Sequence, residues 1–243
     1  ILCTLLIIGF AVSCDTEDNR CLKSTGEMKT EKFDLEHFSK VCVRSDFDIT
    51  FETADDYSVT ITCGKNLMPY IDHEISGSEL ILEDNNGCDW LRERTKPKLI
   101  VRCPDLREIN IFETCDIRTS DTLTFSKLSI QNWAGIFTSN MTVSGDSLYF
   151  RCHASTGDYR IEGNSNYAYI YNVGSGFFKG RKFYCKTVHA VHRSLGETEI
   201  NATQVLMIED IQLGTLYSFS ELCPTIYDNG TDWGDLFVNL GCQ

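Results

Sequence analysis

The chain has 243 residues, a formal net charge of −13 and 42% hydrophobic residues. That length suits one large β domain or two small ones. The negative balance argues against nucleic acid as a partner, because phosphate binding needs lysine and arginine to replace counterions. It also argues against adhesion to an anionic lipid surface through charge alone.

Residues 1–13, ILCTLLIIGFAVS, carry no charge. The run is too short to cross a bilayer, which takes about 20 apolar residues. It fits the apolar region of a secretory signal entered part-way, so residues 1–13 are expected to be a truncated signal peptide. Ala11-Val12-Ser13-Cys14 resembles the lipobox of bacterial lipoproteins, with Val12 where a small residue is commoner. The resemblance implies cleavage before Cys14 and a diacylglyceryl group on its sulfur. Two or three acyl chains hold a protein on a membrane durably, where one does not. An ordinary signal followed by a chance cysteine is the competing reading. Residues 15–30 are polar and aperiodic and read as a flexible tether. Its acids Asp15, Glu17 and Asp18 resemble the surface-export signals of some diderm bacteria. The expected location is the bacterial outer membrane, on its cell-surface or periplasmic face.

Beyond Cys3 and Cys14 ten cysteines remain: Cys21, Cys42, Cys63, Cys88, Cys103, Cys115, Cys152, Cys185, Cys223 and Cys242. An even number in an exported chain suggests disulfides. Several lie in strand-like runs, where a thiol packs as a small apolar group. A mixture of bridges and free buried thiols is expected, with the connectivity open. No CxxC occurs and the spacings are wide, so a zinc knuckle is not expected.

From residue 31 on, short alternating runs recur: VCVRSDFDITFE, YSVTITC, LILED and KLIVRC. Period-two alternation means half-buried strands, so residues 31–105 are expected to be antiparallel strands with tight turns. Arg92, Arg94, Lys96 and Lys98 read as a solvated loop before the last of them. Residues 106–243 repeat. Gly135, Gly157, Gly176, Gly196, Gly214 and Gly234 are spaced by 22, 19, 20, 18 and 20 residues. An apolar pair precedes the first five: Leu128/Ile130, Leu148/Phe150, Ala168/Ile170, Val188/Ala190 and Leu206/Ile208. A strand follows each glycine: GIFTS, GDYRI, GFFKG, GETEI, GTLYS and GDLFV. One such unit cannot bury its apolar face alone, but stacked units can. The expected fold is all-β: antiparallel N-terminal strands leading into a right-handed parallel β-helix of about 20-residue coils. A glycine suits a corner that needs positive φ or has no room for a Cβ.

The lead-in EKFDLEHFSKVCVRSDFDITFE, then NLMPYIDHEISGSELILE, then the glycine-cornered array with Gly174-Ser175-Gly176 resembles a family of bacterial lipoproteins: the putative auto-transporter adhesin, head GIN domain family. The resemblance runs from about residue 31 to the end. It implies a β-helical envelope lipoprotein and supplies no catalytic residue. Most corners here carry one glycine where the family often shows Ser-Gly-Ser-Gly, and cysteine is far more frequent.

If Leu148 and Phe150 point inward, Tyr149 points out. Tyr169, His189, Met207 and Tyr227 hold the same position in later coils, and Tyr167 and Tyr171 share the outer face of Tyr169. An outward ladder of Tyr149, Tyr169, Tyr171, His189 and Tyr227 is a candidate platform for sugar rings or a surface protein. The bland alternative is a structural ladder, stabilising neighbouring coils by roughly 0.2–1 kcal/mol a pair. Glycan-degrading β-helix enzymes need converging carboxylates. Glu197, Glu199 and Asp158 are the nearest candidates, but Lys179 and Arg160 share the column of Glu199, and Lys179 beside Glu199 reads as an ion pair. His153 and His192 both stand four before a corner glycine, with Asn172 intervening. No metal, cofactor or catalytic residue is assigned. The expected function is a lipid-anchored binding or adhesion module, with a glycan lyase or glycosidase, or a purely structural envelope protein, as alternatives.

Overall fold

The computed structural model describes residues 24–86, 95–133, 135–230 and 233–241. The signal segment, Cys14, the acids of the tether, Cys21, Cys88, Cys242, Arg92 and Arg94 lie outside the described residues. Among the described residues no helix is long and apolar enough to cross a membrane.

Eight short strands come first: β1 (Met28–Asp34), β2 (Lys40–Val43), β3 (Phe47–Thr53), β4 (Ser58–Gly64), β5 (Ile71–Ser76), β6 (Glu79–Asp84), β7 (Lys98–Cys103) and β8 (Glu108–Ile111). Five long ones follow: β9 (Cys115–Asn132), β10 (Phe137–Ser155), β11 (Asp158–Gly174), β12 (Phe177–Ser194) and β13 (Thr198–Leu213). Three short strands close the chain: β14 (Leu216–Ser218), β15 (Thr225–Tyr227) and β16 (Phe237–Asn239). All sixteen belong to one hydrogen-bonded sheet.

That sheet is wound into a parallel solenoid of about six turns of ~20 residues, entered through antiparallel strands. The long strands bend: the start of β9, Cys115–Thr119, pairs with β3, while its end, Ser129–Asn132, pairs with β8. The antiparallel pairs are β1/β4, β4/β7 and β5/β6. Parallel pairing begins before residue 106, because β2 pairs in parallel with β6 and β8, and β3 with β7 and β9. The entry strands therefore already stack as coils of the solenoid, edged by antiparallel strands.

The core follows from the repeat. Leu128, Leu148, Ala168, Val188 and Leu206 are in register on successive coils and buried. The partner column, Ile130, Phe150, Ile170, Ala190 and Ile208, extends back through Ile109 and Val41 to Leu80. Neighbouring coils lie about 4.8 Å apart, so each side chain rests on the one below and the apolar columns become a continuous core. Phe137, Phe150, Tyr159 and Phe178 pack together inside it, with centroids 5.0 Å apart for Phe150–Phe178 and 5.2 Å for Phe137–Tyr159.

The corner glycines sit where expected: β10, β11, β12, β13, β14 and β16 each start one to three residues after one of them. Their reason differs between corners. Gly135 has φ +82°, a left-handed conformation that glycine adopts freely. At Gly196 the backbone is not left-handed; a Cβ there would stand 2.5 Å from the carbonyl oxygen of Gly176 on the coil below. Close approach of two coils, rather than backbone strain, requires that glycine.

One inward column changes character along its length. Leu82, Val43 and Ile111 are followed in register by Asn132, Cys152, Asn172 and His192. All but Cys152 of the last four are polar, and all four are 0% exposed. Asn172 Nδ2 donates to the Gly176 carbonyl at 3.0 Å and to Thr198 Oγ1 at 2.9 Å. Thr198 Oγ1 also lies within hydrogen-bond distance of His192 Nδ1, at 2.9 Å. Burial lowers the His192 pKa to about 4, which keeps the ring neutral near pH 7.

Candidate functional site

The outward column lies in register as the alternation required: Ser129, Tyr149, Tyr169, His189, Met207 and Tyr227 pair successively. Inward neighbours at Leu148 and Phe150 fix this orientation, because successive side chains on a strand point to opposite faces. Tyr149, Tyr167, Tyr169, Tyr171 and His189 are half-buried, and Tyr227 is exposed.

Across coils the rings touch without lying flat on one another. Tyr149 and Tyr169 have centroids 6.5 Å apart and planes tilted by 41°. Tyr149 and Tyr167 lie 5.7 Å apart at 52°. His189 meets Tyr169 edge to face at 5.0 Å and 85°. Tyr171 runs beside Tyr169 on the same strand at 6.5 Å and 14°. Tilted pairs leave ring faces uncovered by other rings, which a flat stack would not. Met207 separates Tyr227 from His189, so Tyr227 belongs to the column and stands apart from the cluster of rings.

Cations occupy some of those faces. The Arg151 guanidinium lies 5.0 Å from the centroid of Tyr149 and 5.2 Å from that of Tyr169. Lys127 Nζ lies 5.0 Å from Tyr149. Arg151 also donates from Nη1 to Ser129 Oγ at 3.3 Å. Each exposed cation–ring contact is worth about 0.5–1 kcal/mol.

A second aromatic column flanks the first. Trp133 and His153 stack at 4.2 Å and 9°, Phe112 stacks on Trp133 at 6.5 Å and 10°, and His153 reaches Tyr171 at 5.5 Å. Burial, with the Arg151 charge, holds the His153 imidazolium below its usual pKa. Sequence reasoning passed over Phe112 and Trp133. Their signal was the period itself, since residues 112, 133 and 153 repeat the coil length.

Other expected contacts are rearranged. Lys179 stands in register with Glu199, but its ion pair goes to Asp158 at 2.7 Å. The lysine reaches diagonally to the coil before, where its register partner is Arg160 and Asp158 is exposed two positions away. His153 and His192 do not share a position: His192 lines the interior, in register with Asn172 and Cys152, and His153 faces out beside it. Lys96 is not free in solvent but bridges Asp46 at 2.7 Å and Asp116 at 2.5 Å. Among the described residues no group of three His, Cys, Asp or Glu side chains is placed to hold a metal ion. Cys42, Cys63, Cys103, Cys115, Cys152 and Cys185 are free and buried, and Cys223 is disulfide-bonded. Burial pushes the Cys152 thiol up to about 12 and the Cys63 thiol to about 11, so neither is a ready nucleophile.

Several solved structures share the fold. A putative adhesin from Bacteroides fragilis is 16% identical with a TM-score of 0.75, covering 88% of this chain and 95% of that one. A putative adhesin from Parabacteroides distasonis is 17% identical with a TM-score of 0.60, covering 89% and 96%. A putative lipid binding protein from the same organism is 18% identical with a TM-score of 0.60, covering 90% and 96%. No curated protein matches the chain. The model of the putative auto-transporter adhesin, head GIN domain family matches residues 37–220, from before β2 to beyond β14 and including Tyr149, Tyr169 and His189, and the chain belongs to that family.

Proposed function

We propose that this protein is a lipid-anchored, non-catalytic binding module of the bacterial outer membrane that holds sugar rings against the aromatic face of its solenoid. The observation that carries the reading is the column of Tyr149, Tyr169 and His189 on successive coils, widened by Tyr167 and Tyr171. Its rings are spaced by the coil repeat, half-buried, and tilted against one another across coils. Such a surface gives a sugar both an apolar face and hydroxyl partners. The names of the family and of the solved neighbours fit a binding module. The anchor rests on the lipobox-like Ala11-Val12-Ser13-Cys14.

A Tyr149→Ala, Tyr169→Ala double variant separates platform from structural ladder. A platform loses glycan binding by about tenfold or more, as when aromatic anchors are removed, and keeps its melting temperature close to wild type. A large loss of stability with binding intact overturns the platform. For the anchor, Cys14→Ala abolishes metabolic labelling with a fatty acid and releases the protein from membranes; a variant still labelled and membrane-bound shows the assignment to be wrong.

A further inference from the structure

We infer that the sugar held by this face is acidic, carrying a carboxylate of the uronic acid kind, and that Arg151 receives it with help from Lys127. The inference rests on the glycan-binding reading above and names the ligand class. The chain has 35 acidic against 22 basic residues. Many surface cations are paired: Lys40 with Glu108 at 3.4 Å, Arg102 with Glu52 at 3.2 Å, Arg118 with Asp48 at 2.7 Å and Lys179 with Asp158 at 2.7 Å. Among the described residues Lys65, Lys98, Lys186 and Arg181, which lies over the Phe219 ring, stand singly without a carboxylate, whereas Arg151 and Lys127 converge on one ring, that of Tyr149. Among the described residues neither Arg151 nor Lys127 has a carboxylate within ion-pairing distance; both lie over tyrosine rings instead.

The acids around them are engaged elsewhere. Glu209 meets His189 at 2.9 Å, Asp210 meets Arg193 at 2.6 Å, and Asp146 accepts from Asn166 at 2.8 Å. The Arg151 charge reaches Tyr167, Tyr169 and His153, with Glu209 acting against it at Tyr169. A guanidinium has five N–H donors in a planar fork that matches a carboxylate. Ser129 takes one donor of Arg151, and the Tyr149 and Tyr169 rings hold the plane. The remaining donors stand among rings that would pack against the sugar itself.

The net charge of −13 limits the ligand further. A densely charged polyanion, or an anionic bilayer, meets repulsion from the rest of the molecule. A mostly neutral glycan with a carboxylate where it crosses the coils of β10 and β11 meets only the local cations.

The test is binding of the purified full chain to two matched sets of oligosaccharides, one bearing uronate residues and one with the same carboxylates methyl-esterified. Vesicles of phosphatidylglycerol form a third arm. The uronates are expected to bind about tenfold tighter than their esters, with the gap narrowing as salt is raised. Arg151→Gln removes the preference while thermal unfolding stays within about 2 °C, because an exposed cation–ring contact is small. Arg151→Lys keeps the charge without the fork and retains part of the preference. Equal binding of uronates and esters, unchanged by Arg151→Gln, overturns the acidic-ligand inference and leaves the glycan reading standing. No binding of either set overturns both. Binding of vesicles alone, abolished by Arg151→Gln, assigns the arginine to a lipid headgroup and overturns the inference.

Discussion

The outward column that carries Tyr149 and Tyr169 starts in the entry strands as Glu79, Lys40 and Glu108, in register with Ser129. The backbone pairing is parallel in both halves, yet the first half is charged and the second aromatic. In the first half Lys40 pairs with Glu108, and Arg44, just past the end of the same strand, lies 3.8 Å from Glu83, so charge is neutralised locally. In the second half Arg151 and Lys127 sit on rings with no acid partner. The inward column beside it changes in parallel, from Leu82, Val43 and Ile111 to Asn132, Asn172 and His192. A solenoid supplies equivalent positions coil after coil, and the side chains alone decide whether a stretch is sealed or open to a ligand.

Acid should break this comparison most strongly. His192 is buried neutral with its pKa lowered to about 4, below the value of an unfolded histidine. The unfolded chain then takes up the proton first, so stability is full above about pH 6.5 and falls as pH drops toward 4. The loss attributable to this residue is roughly 3 kcal/mol between pH 7 and pH 4. Hydrogen exchange should show β12 and β13 opening before β3 and β7, and His192→Asn should remove that part of the acid response. Simultaneous opening of both halves, unaffected by His192→Asn, shows that this ring does not set the acid response.

The corner glycines sharpen the contrast at the next level. Gly196→Val forces a Cβ to 2.5 Å from the Gly176 carbonyl oxygen and should cost about 2–3 kcal/mol in urea unfolding. Gly77, in the β5–β6 hairpin, has φ +63° and nothing within 4 Å of a Cβ. Gly77→Ala should cost only about 1 kcal/mol, through backbone strain alone. The reverse order would mean that coil-on-coil contact is not what the corner glycine protects.

The smallest expected effect lies in the charged stretch. Lys40→Ala breaks a solvent-exposed pair with Glu108 and should change stability by less than about 1 kcal/mol. It should leave glycan binding untouched, whereas Arg151→Gln alters binding and not stability. A Lys40 variant that changes binding would extend the site into the entry strands.

The sequence by itself determined the coil. The glycine period, the apolar pairs before it and the strict inside-outside alternation specify a stacked parallel architecture, because a 20-residue unit with one apolar face is stable only against its neighbours. The same alternation placed Tyr149, Tyr169 and His189 on one outward column, since strand geometry allows no other side. Tertiary structure alone decided what stands next to that column. Where parallel pairing begins, which acid Lys179 reaches, and that Arg151 lies over two tyrosines from different coils all depend on long side chains crossing between strands. The reason for glycine at Gly196 was hidden likewise. A crowded coil and a left-handed turn leave the same letter in the sequence, and only the distance to the neighbouring backbone tells them apart.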